Sequence, residues 1–172
     1  MRNIVRKIIV GGDGGVGKTT FLYKYIKNKF LVDTKLTVGV SFLTKNIQVG
    51  DQIFSMAIWD FGGQDQFRFI LRSYVRGAHA GLAIFALDRL ESFLHLKEWI
   101  PLLRSEKPDL PLILVGTKAD LEDEDMKIPE EEIQELVGKY NMLGYVRISS
   151  KTGENVGEPV EMLAEYFSKK MP

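Results

Sequence analysis

Gly12-Asp13-Gly14-Gly15-Val16-Gly17-Lys18-Thr19 is the stretch on which the reading of this chain turns. It fits the phosphate-binding pattern G-x-x-x-x-G-K-[ST]. Its setting gives it weight. Before it runs Ile4 to Val10, rich in β-branched residues, and after it Thr20 to Ile26, which can form a helix. A strand, a glycine loop and a helix in that order are the context the motif requires. A loop that wraps a polyphosphate turns successive backbone N–H groups inward, which demands unusual backbone angles and little side chain in the way. The helix behind it adds unpaired N–H groups and the positive end of its dipole. The phosphates are therefore expected along Asp13, Gly14, Gly15, Val16, Gly17, Lys18, Thr19 and Thr20. Lys18 would place a point charge at the β/γ phosphates, and the Thr19 hydroxyl would reach Mg²⁺.

Working outward, the totals exclude several classes. A length of 172 residues suits one domain, 1–172, with a full core, and 45% apolar residues is a globular composition. Lys plus Arg and Asp plus Glu both number 23, so nothing in the balance calls for nucleic acid or an acidic membrane surface. With no cysteine, disulfides, thiolate catalysis, Cys-based zinc sites, prenylation and palmitoylation are excluded. Arg2 follows Met1, so no myristoylation is expected. No apolar run approaches a membrane span and no secretory signal opens the chain. The expectation is a cytoplasmic protein with no direct lipid anchor.

Strand and helix signals alternate along the chain, which argues for an α/β layer fold. Asn28 to Leu36 is polar and irregular. Val38 to Val49 reads as a strand, Gly50-Asp51 as a hairpin turn, and Gln52 to Trp59 as the returning antiparallel strand. Asp60-Phe61-Gly62-Gly63-Gln64 reads as a glycine-rich loop, and Asp65 to Arg76 as a helix. Gly81 to Leu87 and Leu110 to Val115 are continuous apolar runs of the kind covered on both faces. Between them, Glu91 to Arg104 reads as one helix, with Phe93, Leu96, Ile100 and Leu103 in its buried stripe. A helix begins at Pro129 with Glu130, Glu131 and Glu132 in its first turn. Leu143 to Ile148 reads as a strand. The last helix buries Val160, Leu163, Ala164 and Phe167, and tolerates Pro159 in its first turn. That makes about six strands and five helices.

Further segments carry chemistry. Asp60, after an apolar strand, is placed to hold Mg²⁺ directly or through water. The Gly63 N–H could meet a terminal phosphate oxygen, and Gln64 has both a donor and an acceptor with which to orient an attacking water. A Thr37 hydroxyl could complete the Mg²⁺ surroundings. Thr117-Lys118-Ala119-Asp120 leaves a buried strand. A carboxylate there can accept from guanine N1–H and N2–H₂, a pair of donors that adenine lacks, while the Lys118 stem lies over the base. Ser149-Ser150-Lys151 follows the next strand, where the Ser150 N–H could reach guanine O6. In an open α/β sheet ligands bind beyond the carboxyl ends of the strands, so one site would unite all these segments.

On GDGGVGKT at Gly12–Thr19, Thr37, DFGGQ at Asp60–Gln64, TKAD at Thr117–Asp120 and SSK at Ser149–Lys151, the chain resembles the Ras-like small GTPases over essentially its whole length. The resemblance implies a P-loop G domain: a six-stranded mixed sheet with one antiparallel strand, flanked by about five helices. It also implies GTP and GDP binding with Mg²⁺, and two nucleotide-sensitive loops, Val32–Val40 and Asp60–Tyr74, on which an exchange factor, an activating protein and effectors would dock. Phe30 looks like the family aromatic that packs against guanine. Subfamily features are mixed: Thr37–Phe42 looks like Rab, Trp59–Gln64 like Arf or Rag proteins, and Thr117 is similar to Rho.

The expected activity is slow GTP hydrolysis coupled to a loop switch. Lys18, Thr37 and Gln64 would take the catalytic roles, and Thr19, Thr37 and Asp60 would hold the metal. Thr34, Lys35 and Leu36 precede Thr37, so an arginine is expected from a partner. Two alternatives stand beside this: a nucleotide-bound interaction module without turnover, and an ATP-dependent kinase or ATPase, against which Asp120 argues. Phe42, Trp59, Phe69 and Tyr74 form a candidate apolar docking surface, or else pack as core.

Overall fold

The strand signal ahead of the glycine loop becomes β1 (Arg2–Gly11), with Ile4, Ile8, Ile9 and Val10 buried. The helix signal behind it becomes α1 (Lys18–Lys27). The computed structural model describes residues 1–30, 40–62, 68–123 and 127–171. Within them, β1 pairs in parallel with β3 (Gln52–Phe61) on one side and β4 (Ala80–Ala86) on the other. β2 (Val40–Val49) is antiparallel to β3 across a turn in which Gly50 takes φ 59°. β5 (Leu112–Thr117) and β6 (Gly144–Arg147) extend the parallel part, giving the order β2-β3-β1-β4-β5-β6. Successive connections leave β1 in opposite directions, toward β3 and toward β4, so a crevice opens at the carboxyl end of β1.

Alternation along β1 sends side chains into two cores. Ile8 and Val10 face Phe21 and Leu22 of α1 and Val160, Leu163 and Phe167 of α6 (Glu158–Lys170). Ile9 faces the other layer, with Leu71 of α2 (Arg68–Tyr74) and Ile133 of α5 (Glu130–Lys139). Every residue of β4 and β5 is buried, as the unbroken apolar runs require of strands covered on both faces. No helix among the described residues is long and apolar enough to cross a membrane.

Two expectations need correction. The helix expected over Glu91–Arg104 is two: α3 (Leu90–Leu94) and α4 (Leu96–Leu103), broken at His95. His95 takes ψ −8°, too shallow to propagate an α-helix, and its carbonyl accepts from both Glu98 N–H (2.9 Å) and Trp99 N–H (3.2 Å). Pro101, inside α4, lacks the N–H that would bond back one turn. The described residues thus hold six α-helices and a 3₁₀ turn at Ala119–Leu121, in keeping with the about five helices expected once this one is divided. Asp60 does not open a loop. It and Phe61 stay in β3 because both neighbours continue the ladder, with Ser41 and Val40 on one side and Val10 on the other. The α2 signal begins at Arg68; its earlier part falls outside the described residues.

One junction makes folding sensitive to acid. Lys7 N–H donates to His79 Nδ1 (2.8 Å) and His79 N–H donates to the Lys7 carbonyl (2.8 Å), which extends the β1–β4 ladder by a step. The ring edge rests on Phe167 at 6.5 Å between centroids. Nδ1 is the acceptor, so the ring must be neutral there. Burial, then Arg6, Lys107 and Lys7, push the His79 pKa below its ordinary 6.5. The unfolded chain therefore binds the proton more readily than the native state. The stabilisation is complete above the ordinary value and is lost as pH falls through the lowered native one. Chemical denaturation at pH 7 and pH 5 should show a loss of up to about 1 kcal/mol, limited by the ring's partial solvation. His79→Asn, whose amide oxygen keeps an acceptor that does not titrate, should show a smaller difference.

Candidate functional site

The glycine loop runs from the end of β1 over β4 to the start of α1. At Gly12 a Cβ would stand 2.2 Å from the Ile84 carbonyl oxygen, so only glycine lets the loop cross that strand. Gly17, at φ 89°, caps α1 in the left-handed region, where an L side chain is strained. Inside the loop, Lys18 is buried and its Nζ donates to the carbonyls of Gly12 and Asp13, each at 3.0 Å. Burial lowers its pKa most strongly; Asp60 and Asp13 oppose that, and Arg89 adds to it. The cation is thus costly to keep there unless anionic charge sits beside it.

The Thr19 hydroxyl donates to Asp60 Oδ2 at 2.6 Å, and Asp60 is fully buried. A hydroxyl and a carboxylate are hard oxygen donors of the kind Mg²⁺ takes. The described residues hold no cluster of three or more His, Cys, Asp or Glu. A cation here would complete its coordination with waters and phosphate oxygens, which is how Mg²⁺ is bound beside nucleotides. The donor set fits.

Beside the loop lies a pocket of about 200 Å³ lined by Gly15, Gly17, Thr20, Phe30, Thr117, Lys118, Asp120, Leu121, Ser150 and Lys151. β5 delivers Thr117 and β6 leads to Ser149 and Ser150, so the sheet brings together segments remote in sequence. The Thr117 hydroxyl lies 2.5 Å from the Val16 carbonyl and 3.1 Å from that of Phe85, and ties the loop to the strands. Lys118, at φ 60°, reaches back so that Nζ donates to the Gly15 carbonyl at 2.9 Å. Ser149 is buried and donates through Oγ to Asp120 Oδ1 at 2.7 Å, which orients the carboxylate toward the pocket it lines.

The expected residues divide by what they present. Val16 is fully buried and packs its side chain into the core beneath the loop. Asp13 turns its side chain away from the phosphate path. Its Oδ1 accepts from Trp99 Nε1 (2.8 Å), and its Oδ2 meets His95 Nδ1 (2.5 Å) and lies 4.0 Å from Arg89 Nη2. Arg89, His95 and Trp99 were not singled out in the sequence. Thr37, Gly63 and Gln64 lie outside the described residues, as does most of the Val32–Val40 loop. Of the candidate docking aromatics, Phe42, Phe69 and Tyr74 are exposed and Trp59 is half-buried. Phe42 meets Trp59 edge-on at 4.6 Å, and Trp59 meets Tyr74 at 5.3 Å.

The sheet order, the loop and the site at its carboxyl edge define a P-loop α/β protein. A family model described as Ras family matches residues 7–169. The chain is similar to the Ras-related protein RABG3f of Arabidopsis thaliana, 31% identical over 170 residues, covering 95% of this chain and 82% of that protein. It is similar to the human Ras-related protein Rab-27B, 36% identical over 179 residues, covering 96% and 80%. It is also similar to the Ras-related protein RABA3 of Arabidopsis thaliana, 35% identical over 167 residues, covering 96% and 70%. The chain belongs to the Ras family, the small GTPases that its motifs resemble.

Proposed function

We propose that residues 1–172 act as one G domain, a cytoplasmic switch that binds GTP and GDP with Mg²⁺ and slowly hydrolyses GTP to GDP and phosphate. The observation that carries this reading is the pocket in which Asp120, oriented by Ser149, stands next to the glycine loop through Lys118 and Thr117. A carboxylate at that point accepts two hydrogen bonds from guanine, with Phe30 and the Lys118 stem on its faces and the Ser150 N–H and Lys151 at its edge. Phosphates then lie along Gly14 to Thr20, where Lys18 trades two loop carbonyls for phosphate oxygens. Thr19 and Asp60 would hold Mg²⁺, together with Thr37. When bound, the ion supplies charge neutralisation at the β/γ oxygens.

In the hydrolytic step Gln64 orients a water in line with the γ-phosphorus. Water oxygen bonds to phosphorus as the bond to the bridging oxygen breaks; GDP carries that oxygen and the bond's electron pair away, and the water's protons leave on the phosphate and to solvent. Lys18 meets the charge that develops on it. Loss of the γ-phosphate releases Thr37 and Gly63, so both loops relax and partners that dock on Val32–Val40 and Asp60–Tyr74 distinguish the two states. Phe42, Trp59 and Tyr74, whose rings meet edge-on and tilted beside these loops, suit an effector's apolar surface.

Single-turnover hydrolysis of bound GTP tests this. Gln64→Leu should slow phosphate release at least about tenfold while leaving the GDP dissociation rate near that of wild type. An unchanged rate would remove Gln64 from the water-positioning role. Absence of turnover in wild-type protein that holds GTP would favour the interaction module.

A further inference from the structure

Three consecutive carbonyls of the glycine loop are gripped by groups from other elements. Thr117 Oγ1 holds Val16, Lys118 Nζ holds Gly15, and Arg89 Nη1 holds Gly14 at 3.1 Å. The first two come from the base-binding segment. The third comes from the connection between β4 and α3, which no motif reading touched. In a trans peptide the C=O and the next residue's N–H point in opposite directions. No described peptide bond is cis. Holding a carbonyl therefore aims the following N–H the other way. The three grips together fix the N–H groups of Gly15, Val16 and Gly17, and such successive fixed N–H groups make an anion-binding concavity.

Arg89 is built for that position. Its backbone is locked: its N–H donates to the Ala86 carbonyl (3.1 Å), and the buried Ser92 hydroxyl donates to its carbonyl (2.6 Å) while accepting from Ala86 N–H (2.9 Å). Its guanidinium sits 3.1 Å from the place a Cβ on Gly15 would occupy. Its second nitrogen lies 4.0 Å from the Asp13 carboxylate, which His95 and Trp99 hold from the other side. The fork thus spans two successive residues of the loop, and its charge is felt at Lys18. Arginine's planar fork can do this and lysine's single point cannot.

We propose that Arg89 is a positioning residue that clamps the phosphate loop from within the chain, keeps the Gly15 N–H turned toward the diphosphate, and adds positive charge to the site that receives it. This rests on the nucleotide-binding reading above. The clamp acts on phosphate and leaves base choice alone, which separates it from a general structural role.

The test is dissociation of a fluorescent GDP analogue, together with affinities for GDP, guanosine monophosphate and ADP, on wild type, Arg89→Ala and Arg89→Lys. Arg89→Ala should release GDP about tenfold faster, the usual effect of losing one partly exposed charge-assisted bond. It should lower the preference for GDP over the monophosphate by a similar factor. The preference for GDP over ADP should stay within about twofold, and Arg89→Lys should restore only part of the loss. An unchanged dissociation rate in Arg89→Ala would overturn the clamp. So would an equal fall in phosphate and base preference, or full rescue by lysine. Wild-type protein that prefers ADP would sink the guanine reading alone, and the clamp would then be judged by the same diphosphate-over-monophosphate ratio on adenine nucleotides. Wild-type protein that binds neither would sink both.

Discussion

Asp120→Asn should lose its grip on guanine and gain one on xanthine. The carboxylate only accepts, and guanine presents two donors, N1–H and N2–H₂, on the edge it would meet. An asparagine amide turns one acceptor into a donor, which then faces a guanine donor and leaves both buried in the pocket without a partner. Xanthine carries a carbonyl where guanine carries its amino group, so the amide's donor and acceptor both match. Sites that hydrogen-bond a ligand reject an analogue that leaves those groups unpaired by about 10⁴-fold. The expected swing in the ratio of GDP to xanthosine diphosphate affinity is of that order, measured by competition against a fluorescent nucleotide. Ser149 donates to Asp120 Oδ1 at 2.7 Å and can donate equally to an amide oxygen, so the side chain should keep its orientation. A swing below about tenfold would mean that Asp120 does not read the base.

Lys18→Ala should cost about 10²–10³ in GDP affinity, because it removes the cationic partner of a desolvated diphosphate. Its effect on the empty protein should be small. Lys18 is buried, and burial is the largest influence lowering its pKa, so the native state bears a desolvation cost that the Gly12 and Asp13 carbonyls and nearby carboxylates offset. Truncation removes that cost along with two hydrogen bonds. The urea midpoint without nucleotide should therefore move little, while the stabilisation normally conferred by added GDP disappears. A large fall in the nucleotide-free midpoint would show that Lys18 acts chiefly as a structural residue, and the phosphate assignment would lose its main support.

These two effects come from residues whose type and spacing are legible in the chain. The glycine loop, TKAD and SSK are each short and contiguous, and each leaves a strand whose apolar run is plain. The sheet then places them at one edge because parallel strands share their carboxyl ends. What stayed hidden depends on contacts between distant parts of the chain. Arg89 meets Gly14, and His95 and Trp99 meet Asp13, across more than seventy residues of sequence. No local period encodes such a contact. One signal was available: a tryptophan in the buried stripe of a helix needs an acceptor for its indole N–H, and an aspartate between loop glycines is a ready one. The break at His95 was masked for a related reason. The apolar spacing of Phe93, Leu96, Ile100 and Leu103 satisfies a continuous helix, and one shallow ψ leaves that pattern intact. Asp60 was misplaced by two glycines behind it that suggest a loop, whereas ladder partners on both sides keep it in β3.

The central claim is that this edge binds a guanine nucleotide. The most direct measurement is to purify the wild-type protein with Mg²⁺ present, denature it, and identify and quantify any nucleotide released by chromatography. The account predicts GDP or GTP at close to one equivalent. Release of adenine nucleotide, or none after incubation with GDP, would contradict it.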